Sequence, residues 1–187
     1  MPGRKRALEM LGLKPGEHVL IVGVGTGADL PWLPAGIEAI GIDLSPDMLA
    51  KAQNKLSDCR AAVELIQGDV QAQVVTDGLF DAAILNLILS VVPDGRACLQ
   101  STLRALKPGG RAVVFDKFLP DQGNLTSGLK EMNFFSTLFG TDITRRFGDI
   151  TAGCDCEVLK NEPSLMDGIY RVILLQKKDL MDYTVPI

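Results

Sequence analysis

Histidine is nearly absent from this sequence: His18 is the only one in 187 residues. Cysteine is scarce as well, and Cys59, Cys98, Cys154 and Cys156 form no C-x-x-C pair. The C-x-C of Cys154 and Cys156 has no histidine or second cysteine pair nearby to complete a zinc site, so no metal is expected. All four read as reduced thiols of a cytoplasmic protein. A basic excess is missing too: the formal net charge is −4, which argues against nucleic acid as a partner. Arg4-Lys5-Arg6 is the one basic run of three, a solvated end or a source of weak peripheral membrane contact. Long hydrophobic runs are lacking. The most apolar stretch, 82–92, is broken by Asn86 and Ser90; it is too short to cross a bilayer and suits a strand buried on both faces. The basic N-terminus has no apolar core, so no signal peptide is expected.

What is present suits a single α/β domain over 1–187. The hydrophobic share of 47% can supply a core without metal or disulfide help. A short helix is predicted over 4–11 and strands over 18–22, 36–43, 62–66, 80–87 and 111–115. Between them, Ser45-Pro46-Asp47 starts one helix: Ser45 caps, Pro46 fits the first turn and Asp47 suits the dipole. Pro93-Asp94 starts another, and Lys107-Pro108-Gly109-Gly110 stops it. After strand five the alternation breaks. A helix is predicted over 124–139 and a shorter one over 141–150, followed by strands over 156–159 and 170–176. The chain therefore divides into a short N-terminal helical segment, 1–18, a sheet, and a helical insert, 119–150.

Strands alternating with helices imply a parallel sheet with helices on both faces. Ligands of such sheets bind beyond the carboxyl ends of the strands, near the switch in strand order. That rim would hold the loop Gly23-Val24-Gly25-Thr26-Gly27, together with Asp43, Asp69, Asn86 and Asp116. Gly23 to Ala28 also fits G-x-G-x-x-A, and Asp43 lies where a ribose-binding acid belongs, so the loop alone does not separate a dinucleotide from another adenosine cofactor.

Four motifs in order do separate them: Val19-Leu20-Ile21-Val22-Gly23-Val24-Gly25-Thr26-Gly27, Gly41-Ile42-Asp43-Leu44-Ser45, Gly68-Asp69 and Leu106-Lys107-Pro108-Gly109-Gly110. With them, residues 6–118 resemble the class I S-adenosylmethionine-dependent methyltransferases, in particular the branch that includes phosphatidylethanolamine and quinone methyltransferases. The resemblance implies a Rossmann-like, seven-stranded, mostly parallel sheet with an antiparallel C-terminal strand pair. It implies S-adenosyl-L-methionine as cofactor and a small-molecule or lipid acceptor, a phospholipid head group among them. Gly23, Gly25, Thr26 and Gly27 would approach the methionine part. Asp43 would take the ribose hydroxyls, Leu44 and Met48 would flank the adenine, and Asp69 with Val70 would read its edge. Asn86 and Leu87 would lie near the sulfonium, with Asn86 and Asp116 as candidate catalytic groups. Phe134, Phe135, Phe139 and Phe147 would line the acceptor side, with Arg145 and Arg146 as an anion clamp.

The chain departs from the family at one position. Ile21 stands where Glu or Asp usually helps hold the methionine end, and Asp29 and Asp116 are the carboxylates placed to compensate. The Asn86-Leu87-Ile88-Leu89 sequence lacks the Pro-Pro-Tyr of DNA-base and protein-amide methyltransferases. Two other readings stand beside methyl transfer. One is a non-catalytic S-adenosylmethionine-binding or scaffold protein. The other is a nicotinamide-dependent oxidoreductase, which needs a proton donor that His18, Tyr170 and Tyr183 are poorly placed to supply.

Overall fold

The computed structural model describes residues 2–72, 75–118 and 145–179. The predicted helix 124–139, with Phe134, Phe135 and Phe139, lies outside the described residues, as does Tyr183. Seven strands form one sheet: β1 (His18–Val22), β2 (Glu38–Asp43), β3 (Ala62–Gln67), β4 (Phe80–Asn86), β5 (Leu106–Lys117), β6 (Cys156–Pro163) and β7 (Tyr170–Lys177). Their order is β3-β2-β1-β4-β5-β7-β6. The first five are parallel, while β7 runs antiparallel to both β5 and β6. The strand order reverses between β1 and β4, so both have their carboxyl ends at the switch point where α/β sheets bind ligands.

The sheet separates two apolar layers, because successive side chains of a strand face opposite sides. Ile21, Ile84, Val113, Phe115 and Val172 face one way and pack with Ala7, Leu8 and Leu11 of α1 (Pro2–Leu11). Leu20, Val22, Leu85, Val114 and Ile173 face the other, against Cys98, Leu99 and Leu103 of α3 (Gly95–Ala105) and Phe147 and Ile150 of α4 (Phe147–Thr151). Helix α2 (Pro46–Gln53) starts as its sequence predicts, with the Ser45 hydroxyl accepting from Met48 N at 3.3 Å. Asp94 caps α3 in the same way, accepting from Ala97 N at 2.9 Å.

The segment Lys107–Gly110 differs from its expected role. Helix α3 does end before it, but the segment already belongs to β5, and the pairing with β4 shifts register between Phe80 and Ala82. This irregular start is tied down by Lys107 Nζ, 2.6 Å from Asp81 Oδ1, while Asp81 Oδ2 accepts from His18 N at 2.9 Å. Burial works to raise the Asp81 carboxyl, but those two hydrogen bonds outweigh it and hold the group below its usual range. The folded state thus binds this proton less readily than the unfolded chain. Its stabilisation is present above the unfolded value and is lost as pH falls through the folded one. Asp81→Asn is expected to lower the melting temperature at neutral pH, and the gap to the wild type should close as acid titrates the carboxylate. A gap that stays constant on acidification would show that Asp81 contributes through packing instead.

Phe147, expected to line an acceptor site, is core: it is buried and its ring sits 5.0 Å from that of Phe118. The basic run is not a free patch either. Arg4 pairs with Asp29 at 2.6 Å, Lys5 lies 5.8 Å from the Trp32 ring centre, and Arg6 binds both carboxylate oxygens of Glu162. Each charge has an intramolecular partner, while the side chains of Lys5 and Arg6 stay 58% and 48% exposed.

Candidate active site

A cavity of about 430 Å³ opens at the carboxyl ends of β1, β2, β3 and β4. It brings together ten of the predicted residues: Gly23, Gly25, Thr26, Asp43, Leu44, Met48, Asp69, Val70, Asn86 and Leu87. A second hollow, of about 480 Å³, lies at the opposite ends of the strands between His18, Ile40, Glu64 and Phe80. The strand-end rule favours the first, and so does its set of polar groups.

The site is organised by Asp43. Its Oδ2 accepts from Gly25 N at 2.8 Å and its Oδ1 from Ser45 N at 3.0 Å. One carboxylate thus ties the glycine loop to the start of α2. An ionised carboxylate has about four acceptor positions, so two remain for a ligand diol. Gly25 itself has φ of 55°, and a Cβ there would meet only Gly23 O, at 3.9 Å. The loop is therefore held in a left-handed turn that leaves the cavity floor bare.

Gly27 corrects the expectation for the third glycine. It does not line the cavity; a Cβ on it would come within 3.0 Å of Ala52 Cα in α2. Its smallness serves helix–loop packing. Leu44 and Met48 extend as exposed apolar side chains on the rim. Asp69 Oδ1 accepts from both Gln71 N and Gln71 Nε2, which hold its carboxyl below the usual range. Gln71 Oε1 in turn accepts from Asp94 N at 2.7 Å, linking this corner to the cap of α3.

The wall after β4 carries strain. Leu87 has φ of 61°, a left-handed conformation unusual for a branched residue, and such outliers gather at functional sites. Behind this wall sits Asp116. It was expected as a catalytic group, but it is fully buried and not part of the cavity lining. Its Oδ1 accepts from Ser90 Oγ at 2.6 Å and from Lys117 N at 2.8 Å, and its Oδ2 from Ser90 N at 3.0 Å. Asp116 thus anchors Ser90, in the loop that follows Leu87, to the end of β5.

Asn86 closes the floor. Its Nδ2 donates to Asp29 Oδ1 at 3.1 Å, which fixes the amide orientation, and its Oδ1 is buried with no hydrogen-bond partner among the described residues. A buried acceptor left open costs stability unless a ligand donor meets it. An ammonium-bearing ligand fits that atom, and a diol fits Asp43. The residues present therefore suit S-adenosylmethionine. Ile21 is only 1% exposed and packs in the core layer of α1, so the acid usual at this position has been replaced by packing. Reading the sequence missed Arg4, Gln71, Ile88 and Val91 in the lining. Arg4 lies far from the motifs in sequence, and the other three carry no motif of their own.

Fold and cavity together define a Rossmann-like methyltransferase. The methyltransferase-domain family matches residues 20–114, and the chain belongs to it. Phosphatidylethanolamine N-methyltransferase of Cereibacter sphaeroides is 30% identical over 165 residues, covering 87% of this chain and 81% of that protein. Demethylmenaquinone methyltransferase of Renibacterium salmoninarum is 32% identical over 121 residues, 64% of this chain, and the match spans about half (49%) of that protein. In fold, the chain resembles a crystal structure described as a methyltransferase of Bacillus halodurans C-125, with a TM-score of 0.80 at 15% identity, covering 95% of this chain and all of that one. Family membership makes S-adenosylmethionine the cofactor and sets aside the oxidoreductase reading.

Proposed function

We propose that this protein methylates a small-molecule or lipid acceptor, with the amine of a phospholipid head group such as phosphatidylethanolamine as the leading candidate. The observation that carries the cofactor half is the Asp43 carboxylate, oriented by Gly25 and Ser45 at the mouth of the cavity. In this reading Asp43 takes the ribose hydroxyls, Leu44 and Met48 flank the adenine, and Asp69 with Val70 reads its edge. The glycine loop and Asn86 receive the methionine end. The cofactor supplies an already activated methyl group, so the protein's task is mainly alignment.

Asp43 and Asp69 are the only carboxylates among the described residues of the lining, and both already accept N–H bonds. The described lining thus offers no uncommitted base, so the amine first gives its proton to solvent; its lone pair then attacks the methyl carbon as the carbon–sulfur bond breaks and S-adenosylhomocysteine leaves. Arg145, expected as part of an anion clamp, donates to Leu89 O at 2.7 Å and Pro93 O at 2.9 Å and so braces the cavity wall. Arg96 and Arg146 sit with it around a neighbouring hollow of about 230 Å³. Asp94 and Asp149 line the same hollow, and Arg96 donates to Asp149 O, so these guanidiniums do not form an unopposed anion clamp. The similarity to the Cereibacter sphaeroides enzyme supports the phospholipid head-group acceptor.

Incubation with methyl-labelled S-adenosylmethionine tests this proposal. Vesicles containing phosphatidylethanolamine should become labelled, whereas phosphatidylcholine vesicles should not. Labelling of a demethylated quinone alone would move the acceptor to the quinone class. Tight S-adenosylhomocysteine binding with no labelling of either would favour a non-catalytic binding protein.

A further inference from the structure

The chain passes from β3 to β4 with no helix in the described residues 68–72 and 75–79. Helices α3 and α4 pack on the side of the sheet that carries Leu20, Leu85 and Val114. On that same side the amino-terminal halves of β2 and β3 stay bare, and Glu38, Ala62 and Glu64 are exposed. The hollow of about 480 Å³ lies there.

Strand register builds its floor. His18 lies beside Glu38 and Leu20 beside Ile40, while Glu38 lies beside Ala62 and Ile40 beside Glu64. Register neighbours, and alternate residues of one strand, share a face. Ile40 and Ala62 therefore run diagonally between two acids, Glu38 and Glu64. Leu79 and Phe80 close one wall. Strand β3 is the edge of the sheet, so the hollow opens to solvent along that side. Its described lining holds no lysine or arginine. The Glu38 carboxylate lies 3.2 Å from His18 Nε2, and Glu64 has no hydrogen-bond or ion-pair partner among the described residues.

We propose that this hollow is a second ligand site, and that it takes an apolar organic cation such as an alkylammonium. Two carboxylates across an apolar floor repel an anion and select a cation. The uncovered Ile40, Ala62 and Leu79 supply contact for its hydrocarbon part. Strand spacing sets the Cα atoms of Glu38 and Glu64 roughly 8 Å apart, so one ammonium reaches both carboxylates. The proposal stands apart from the methyl-transfer reading, because this lining and that of the cofactor cavity share no residue.

Titration of the full isotope-labelled chain with octylammonium and with octanol, followed by amide shifts, tests the site. Octylammonium should move the amides of Ile40, Ala62, Glu64 and Leu79. It should bind about tenfold or more tightly than octanol, the margin of one charged hydrogen bond. The double variant Glu38→Gln with Glu64→Gln should lose that margin and bind octanol as the wild type does. Both side chains are at the surface, so the fold is retained. Equal binding of the two compounds by the wild type would overturn the proposal, and so would a double variant that keeps the margin. Shifts confined to the cofactor cavity, or no shift with octylammonium, would overturn it too. Movement of the same four amides with protein concentration alone would also overturn it, by giving the hollow to a second copy of the chain.

Discussion

Asp43→Ala is expected to weaken S-adenosylhomocysteine binding by about a hundredfold or more, with little change in melting temperature. The carboxylate presents two free acceptor positions to the ligand, and hydrogen bonds to a charged group are worth about 1.5–3 kcal/mol each. Two of them amount to at least about 3 kcal/mol, or roughly a hundredfold in dissociation constant. The substitution also releases Gly25 N and Ser45 N, which Asp43 holds at 2.8 and 3.0 Å. Both N–H groups lie beside an open cavity, where water can replace the carboxylate, so the fold should tolerate the change. Calorimetry with S-adenosylhomocysteine, paired with a melting curve, separates the two effects. Unchanged affinity would remove Asp43 from the ribose site.

Asp116→Ala should do the reverse, with a large loss of stability and an indirect loss of binding. Asp116 is fully buried, and it satisfies Ser90 N, Ser90 Oγ and Lys117 N. Water cannot readily replace it. Leaving buried donors unsatisfied costs about 1–3 kcal/mol each, so a loss of about 3–5 kcal/mol is expected. For a domain of this size that corresponds to roughly 10 °C in melting temperature. Burial pushes the Asp116 carboxyl above its usual range, against the pull of the Ser90 and Lys117 hydrogen bonds. The folded state therefore holds this proton more readily than the unfolded chain does. The group's contribution to stability grows as pH falls through the folded value towards the unfolded one. The deficit of Asp116→Ala should widen on mild acidification, opposite in sign to that of Asp81→Asn. Melting curves across pH would show this, and a deficit that narrows on acidification would contradict the assignment.

The two aspartates show how far the sequence could be read. Asp43 ends a predicted strand and Asp116 directly follows one, and both are expected on the same rim. Asp43 belongs there because its strand runs straight into a capped helix start, Ser45-Pro46, and local rules carry its carboxylate to the glycine loop. Asp116 has an equivalent place in sequence but the opposite setting. The difference arises from Ser90, 26 residues earlier, whose loop folds back over the end of β5. Gly27 makes the same point. Its motif position suggested ligand contact, and only the approach of Ala52 in α2 shows that packing requires it.

By itself, then, the sequence determined the strand and helix succession, the strand-end rim, the glycine turn, and the Asp43 and Asp69 corners. These follow from periodicity, capping and turn chemistry, which act over a few residues. The tertiary structure decided which rim residues face the cavity and which face the core. It also paired Arg4, Lys5 and Arg6 with intramolecular partners and brought Arg4, Asp29 and Asn86 to one point. Those outcomes depend on contacts between residues far apart in the chain, and a contact of that kind leaves no period, cap or motif in the sequence around either partner.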